Sequence, residues 1–442
     1  MRRCALPSDL PPPTCPLPPA PRLRWADMSA PAPHHHLPGM LTSAQRREVA
    51  SAAAAALAES ASKLALLPVT VGFDGFIDSI IHVVDQRRSM EDADFTAIGT
   101  IADLAARIGA AAGKSANLEL VITEERFGGN GPLLAGGLAQ FGLPVKYIGA
   151  VGADGDPSRP HPVFAPFTER VLNNGGSVIP LAPPARTDAL EFADGKLMLG
   201  KPANLHGITW PALMSTFGRE ALIGHLGSCK LLGLVNWVMM RGAQGIWEGL
   251  IADVLSQLPR SGARPRLFFD LCDPAKRTDG DVKLALETIS RIAALVPVTL
   301  GLNLSEAQRI DDVLGLAMLN SFIGVDDASN ASLAAAAAAI ASKLSLDSVV
   351  IHPRHGAAAA CRDASGALQS GWFTGPMVRH PRLSTGAGDH FNAGFCLAQL
   401  LGLPVHQALA IATCTSGAYV RDAQSPTIVR LCELLADLPD PE

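Results

Sequence analysis

The chain has 442 residues, 48% of them hydrophobic and 17% charged, which is ample material for a sizeable packed core. Its formal net charge of -5, with no basic stripe, gives no electrostatic reason to expect a nucleic-acid partner. Eight scattered cysteines, without paired C-x-x-C spacing, fit reduced thiols in a cytoplasmic protein better than a disulfide framework or a zinc site.

The first forty residues differ from the rest. Leu10 to Pro38 is crowded with proline and carries no hydrophobic periodicity, so residues 1–40 are expected to be a disordered Pro-rich tail. No apolar run of signal-peptide length follows Arg2-Arg3. His34-His35-His36 is expected to be part of a solvated tail, with binding of a stray metal as the alternative, and Met28 and Met40 are candidate translation starts. Residues 41–442 are the expected folded domain.

Ser43–Leu67 predicts an amphipathic helix, interrupted by Glu59 and Lys63 and therefore not a membrane span, and stopped by Pro68. Val69–Phe73 predicts a buried strand ending in Asp74-Gly75-Phe76-Ile77-Asp78. Carboxylates just past a strand end stand where open α/β sheets bind ligands, though the same residues suit a plain turn. Thr96–Ala112 has helical period and Asn117–Ile122 alternates like a strand. Phe127-Gly128-Gly129-Asn130-Gly131-Pro132 then leads into a helix over Leu133–Phe141, with Pro132 in its first turn and Gly142 as C-terminal cap. Val145–Val151 is the next strand. Strand, glycines, helix and strand in that order predict a βαβ-type unit with a backbone-lined ligand site at the helix start.

Leu190–Leu199 places Asp194-Gly195 between two apolar runs, a hairpin of the kind that often serves as a lid. Cys229–Val235, Arg266–Asp270, Val296–Leu302 and Ser348–His352 read as further strands, with Gly245–Leu258 and Ala331–Leu344 among the intervening helices. Such alternation predicts a mostly parallel sheet covered on both faces.

Ser384-Thr385-Gly386-Ala387-Gly388-Asp389 directly precedes an apolar run in which Phe391, Phe395 and Ala398 recur at helical spacing. A helix start offers unpaired N–H groups and partial positive charge, and glycines let an anion approach them. Gly386, Ala387 and Gly388 thus form a candidate anion hole. Asp389 beside it could accept the proton of a nucleophilic hydroxyl, the arrangement needed for phosphoryl transfer to an alcohol. An ordinary tight turn with an acidic helix start uses the same residues. Neither a G-x-G-x-x-G fingerprint after the first strand nor a Walker A sequence is present.

Four motifs in order resemble the ribokinase-like, or PfkB, carbohydrate kinases: Asp78 with Asp74 nearby, Gly128-Gly129-Asn130, Asn303-Leu304-Ser305-Glu306 and Ser384–Asp389. The likeness runs from about Val69 to Ala436. It implies an α/β fold, a three-layer α/β/α sandwich with a mostly parallel central sheet and a small β lid, so that 41–442 is a kinase domain with lid segments. It implies a sugar held between Asp74, Asp78, Gly128, Gly129 and Asn130, with Asp389 as general base. Asn303 and Glu306 would order the nucleotide and Mg2+, Glu306 through water, although Asn-x-x-Glu is equally a helix-capping pattern.

Ile351-His352-Pro353-Arg354-His355-Gly356 departs from the family's Thr-x-Gly-x-x-Gly-like turn and keeps only the final glycine. Arg354 and Gly356 are nucleotide-side candidates, Arg354 through a phosphate or else as a solvated loop residue. The stretch from Asp78 to Gly128 is longer than in small members, and His390 stands where a smaller residue is commoner; a surface or packing role is expected for it. Asp270 or Asp273 would order the metal or a loop, or cap a turn. The resemblance implies a sugar or sugar-like substrate and ATP as donor. Gly72–Asp78 and Ile351–Arg354 match ADP-dependent sugar kinases of the same fold about as well. A non-catalytic sugar- or nucleotide-binding regulator is the alternative from another class. No membrane partner is expected, and a homodimer could form through the lid.

Overall fold

The computed structural model describes residues 41–258, 264–319 and 330–442. The proline-crowded segment 1–40, with its histidine triplet and both candidate starts, lies outside the described residues. Val69–Phe73 (β1) is buried at every position, as a strand covered on both faces must be. It is followed by Phe76–Arg87 (β2), Phe95–Ala97 (β3), Leu120–Gly128 (β4), Val145–Gly149 (β5), Gly152–Ala153 (β6), Asp156–Pro160 (β7), Ser177–Pro180 (β8), Ala185–Phe192 (β9) and Gly195–Lys201 (β10). Leu231–Val235 (β11), Arg266–Asp270 (β12), Val298–Leu302 (β13), Ser348–Ile351 (β14), Gly356–Arg362 (β15) and Leu368–Thr374 (β16) complete the described strands.

The central sheet has nine strands in the order β16-β15-β14-β13-β12-β11-β1-β5-β8. Every pair from β8 to β14 is parallel, and β15 and β16 return antiparallel at one edge. Parallel order brings the C-terminal ends of β1, β11, β12 and β13 to one rim, where ligands of open α/β sheets bind. Helices Asn130–Gln140, Ala387–Leu400 and Val405–Asp422 pack together beside that rim. The first helix, Ser43–Ser60, starts with a capping box between Thr42 and Gln45 and continues as a tighter helix over Ala61–Leu66. By length and composition this stretch could cross a membrane. In the fold it buries Ala50, Ala53 and Leu57, and the buried Arg46 guanidinium donates to the carbonyls of Thr374 and Pro439 at 2.7 Å each.

The lid is a five-stranded sheet in which β2 pairs with β3, β4 and β9, and β9 with β10. It has its own small core of Ile81, Val83, Ile98, Leu104 and Leu190, with Leu104 supplied by the helix Ile101–Ala110. The long insertion between Asp78 and Gly128 is therefore lid. Three sequence readings change here. Asp78 lies inside the twelve-residue β2 rather than in a turn. The strand before the glycines runs on to Gly128 and belongs to the lid, so β4, helix and β5 are not a βαβ unit of one sheet. Thr96–Ala112 divides into β3 and a helix from Ile101, where Thr100 caps the N-terminus.

Candidate active site

The helix Asn130–Gln140 begins at Gly129, which has φ +100° and no side chain with which to cap it. Its exposed N–H groups are satisfied from another element. Asp74, fully buried at the end of β1, accepts from Asn130 N at 3.0 Å and Gly131 N at 2.8 Å. A third donor is the Asn236 side-chain amide, 2.7 Å away. Burial pushes the Asp74 carboxyl up to about 6 against these hydrogen bonds. Both oxygens of Asp74 are thus committed to holding a helix start, and of the two aspartates the one open to solvent is Asp78.

Asp78 is part-exposed on β2, facing Arg126 on β4 and Thr187 on β9. Burial raises its carboxyl, while the Thr187 hydroxyl, Lys196 and Arg126 pull it back. Gly128 is the close neighbour that needs to be glycine, because a Cβ there would stand 2.2 Å from Asp78 Oδ2.

Asp389 lies in the first turn of the buried helix Ala387–Leu400. Gly386 caps that helix at φ +86°, a left-handed conformation favouring glycine, with Leu133 and Tyr419 within 3.1 Å of any added Cβ. The Asn130 amide donates to Asp389 Oδ1 at 2.9 Å, joining the glycine motif to the late loop. Burial and then the charge of Asp270 hold the Asp389 carboxyl well above the usual range. Ala387 N–H closes a turn onto Ser384 O at 3.2 Å, so the orphan first-turn donor facing the adjoining cavity is Gly388 N–H.

That cavity, about 600 Å³, is lined by Asn303, His352, Arg354, Gly356, Ala387 and Gly388, and also by Thr413 and Ser416. Its size suits a nucleotide-sized ligand. Glu306 is not among the lining residues; it is buried, and its carboxylate accepts from Asp273 N at 2.8 Å and Asn303 N at 2.9 Å. Asn303 Oδ1 in turn accepts from Glu306 N at 3.0 Å, so the capping reading of Asn-x-x-Glu holds in full. Asp270, at the end of β12, accepts from Cys272 N and from the Asn392 amide. Burial and then the Glu306 charge push Asp270 upward, and burial also raises Glu306. The two buried carboxylates repel one another and offer only oxygen donors, the kind a hard divalent cation takes, but each oxygen already accepts from an N–H, and among the described residues no group of three or more His, Cys, Asp or Glu could hold a metal ion.

Sequence reasoning missed Asn236, Asn392 and Lys196, and named Thr385 only as part of the Ser384–Asp389 loop. Asn236 sits one residue past β11, a position the strand-end rule could have flagged, and its Oδ1 is buried without a partner. Lys196 was hidden in the hairpin: its ammonium reaches Glu191 Oε1 at 3.3 Å and Thr385 Oγ1 at 3.2 Å. His390 is buried, stacked on Tyr419, with its ring nitrogens on Gly386 O and Ser425 Oγ at 2.8 Å each. It packs, as one expectation held, and is not at the surface.

The profile of the prokaryotic ketohexokinase family matches residues 46–438. The chain is 29% identical to a ketohexokinase of Haloferax volcanii over 366 residues, 81% of this chain and 88% of that protein. Among solved structures it resembles a probable sugar kinase of Rhizobium etli at 16% identity and TM-score 0.54, covering 84% of this chain and 97% of that one. A ribokinase of Thermotoga maritima matches at 15% identity and TM-score 0.52, covering 84% and 99%. A ribokinase of Cryptococcus neoformans in complex with ADP matches at 17% and 0.51, covering 83% and 99%. These distant likenesses show the ribokinase fold.

Proposed function

The chain belongs to the prokaryotic ketohexokinase family of carbohydrate kinases, and from that premise we propose that it transfers the terminal phosphoryl group of a nucleotide to a ketohexose hydroxyl, with Asp389 as general base. The observation that carries the reading is the position of Asp389: hydrogen-bonded to Asn130 on the acceptor side, and one residue from Gly388 at the donor cavity. The sugar lies over Gly128 and Gly129, with Asp78 and Asn130 addressing its hydroxyls. Asp74 serves this site by fixing the helix that presents Asn130. As the acceptor oxygen bonds to phosphorus, its proton passes to Asp389 and the nucleotide oxygen leaves with the bonding electrons. Gly388 N–H stabilises charge on the moving group.

The donor occupies the cavity between Asn303, Arg354 and Gly356, and ATP is the preferred candidate over ADP. That a ribokinase of Cryptococcus neoformans with the same fold is in complex with ADP lends support to a nucleotide donor. Asp270 and Glu306 are the residues to hold Mg2+ through water, and the ion would neutralise donor phosphate charge. A cytoplasmic setting belongs to the same proposal. Exposed Leu120, Ile122, Met198 and Leu199 support a dimer formed through the lid. The test is a phosphoryl-transfer assay over ketoses and aldoses with ATP and ADP. Turnover of a ketohexose in preference to aldoses is expected; transfer to aldoses alone would overturn the substrate assignment.

A further inference from the structure

Lys196 occupies an unusual position for a lid residue. It is the second residue of β10, directly after the Asp194-Gly195 turn, and its side chain reaches Thr385 of the late loop. Thr385, which it reaches at 3.2 Å, immediately precedes Gly386 and is itself fixed by Tyr419, whose hydroxyl donates to Thr385 O at 2.8 Å. The same ammonium acts on Asp78, the acceptor-side carboxylate. Lys196 therefore faces the acceptor pocket on one side and the phosphate loop on the other.

The charge balance of the site gives this placement a consequence. Asp389, Asp270 and Asp74 are all buried, which raises each carboxyl; the charges of Asp270 and Asp74 raise Asp389 further, and those of Glu306 and Asp74 raise Asp270. A phosphoryl group entering that region carries further negative charge, spread over its equatorial oxygens during transfer. An ammonium has three donors and no acceptor. Two of the three are engaged, by Glu191 and by Thr385, and both bonds lie at a half-exposed site where ion pairs are weak and exchange readily.

We propose that Lys196 is a catalytic residue delivered by the lid: with both substrates bound, its ammonium turns from the Thr385 hydroxyl to an oxygen of the transferring phosphoryl group. It neither gains nor loses a proton. The acceptor oxygen forms the new bond to phosphorus, the bond to the nucleotide oxygen breaks, Asp389 takes the acceptor proton, and Lys196 offsets the charge that accumulates between them. The inference rests on the proposed donor cavity and base. It also explains how lid closure would be coupled to chemistry, since the cation arrives only with the hairpin.

The experiment compares wild type, Lys196→Met, Lys196→Arg and Glu191→Gln in the full chain, measuring turnover, KM for both substrates, melting temperature, and binding of ADP with and without aluminium fluoride plus sugar. Lys196→Met should lose about 10²-fold in kcat. Its affinity for ADP alone should stay within about threefold, and its affinity for the ADP–aluminium fluoride mimic should fall at least about tenfold. Lys196→Arg should restore part of both losses. Glu191→Gln, which removes the charge that pairs with Lys196 across the hairpin, should keep kcat within about threefold. Equal kcat and equal mimic affinity in wild type and Lys196→Met would overturn the role, as would a Glu191→Gln variant as impaired as Lys196→Met. A wild-type protein that transfers no phosphate from any nucleotide would instead overturn the reading on which this one rests.

Discussion

The Asn130 side-chain amide donates a 2.9 Å hydrogen bond to Asp389 Oδ1, linking residues 259 positions apart. Asn130 also gives its backbone N–H to Asp74, so one residue ties the end of the first strand to the proposed base. The bond holds one of the two carboxylate oxygens of Asp389.

Asp389→Asn keeps that bond, because the new amide oxygen still accepts from Asn130, but it removes the proton acceptor. Turnover should fall about 10²- to 10⁴-fold while sugar affinity stays close to wild type. In wild type, burial and the Asp270 charge raise the Asp389 carboxyl, and the base acts only when deprotonated. The acidic limb of kcat/KM should therefore lie above the ordinary carboxyl range. A pH–rate profile, with sugar binding by calorimetry, checks both; a variant keeping half of wild-type kcat removes Asp389 from the role.

Asp74 and Asp78 separate cleanly by substitution. Asp74→Ala strands two buried helix N–H groups and the Asn236 amide, which should cost about 3 kcal/mol of stability or more. Asp78→Ala removes a part-exposed carboxylate that serves the buried Thr187 hydroxyl but no helix N–H groups. It should leave melting nearly unchanged and raise sugar KM, at about 1.5–3 kcal/mol for a charged hydrogen-bond partner. Thermal melts and sugar titrations of both variants decide the matter; equal destabilisation by the two would contradict the division.

Much of this was legible in sequence because it is local. The Ser384–Asp389 loop announces its helix through small residues and the spacing of Phe391 and Phe395, and the parallel strands announce themselves as short buried apolar runs. The lid was harder to read. In β2, Phe76–Arg87, exposed polar and buried apolar residues alternate only in part, because β4 and β9 flank it and the central rim lies under one end. Nothing within five residues of Asp74 reveals that its partners are Gly131 and Asn236, since long-range pairing leaves no periodicity. Lys196 escaped for a related reason: a hairpin turn is a local signal, whereas the loop its side chain reaches is 189 positions away.

Gly128→Ala tests the packing beneath the acceptor. The added Cβ would lie 2.2 Å from Asp78 Oδ2 and 2.7 Å from Cγ, so the Asp78 side chain must swing away. Part-exposure gives it room to move, which limits the stability loss to about 1 kcal/mol. Sugar KM should rise as it does for Asp78→Ala, and combining the two substitutions should add little, because both act through one carboxylate. Additive losses in the double variant would show that Gly128 meets the sugar independently.

The pair Asp270 and Glu306 should mark the pH dependence of stability. Burial and the Glu306 charge raise Asp270 above its ordinary 3.8, so the folded protein binds this proton more tightly than the unfolded chain. The resulting stability is complete below 3.8 and is lost as pH rises through the raised folded value. His352 and His390, both lowered to about 4 by burial, act with the opposite sign below their ordinary 6.5, so the total profile mixes the two. The difference between wild type and Asp270→Asn isolates the carboxyl. The substitution is accommodated because Asn392, whose Oδ1 has no partner, can rotate its amide to accept from the new side chain. The melting-temperature advantage of wild type over Asp270→Asn should shrink steadily from about pH 5 to about pH 8. If the proposed Mg2+ site is at Asp270 and Glu306, added Mg2+ should flatten that trend in wild type alone, because a cation there would lower the folded proton affinity. A constant difference across the range would show that Asp270 ionises as it does in the unfolded chain.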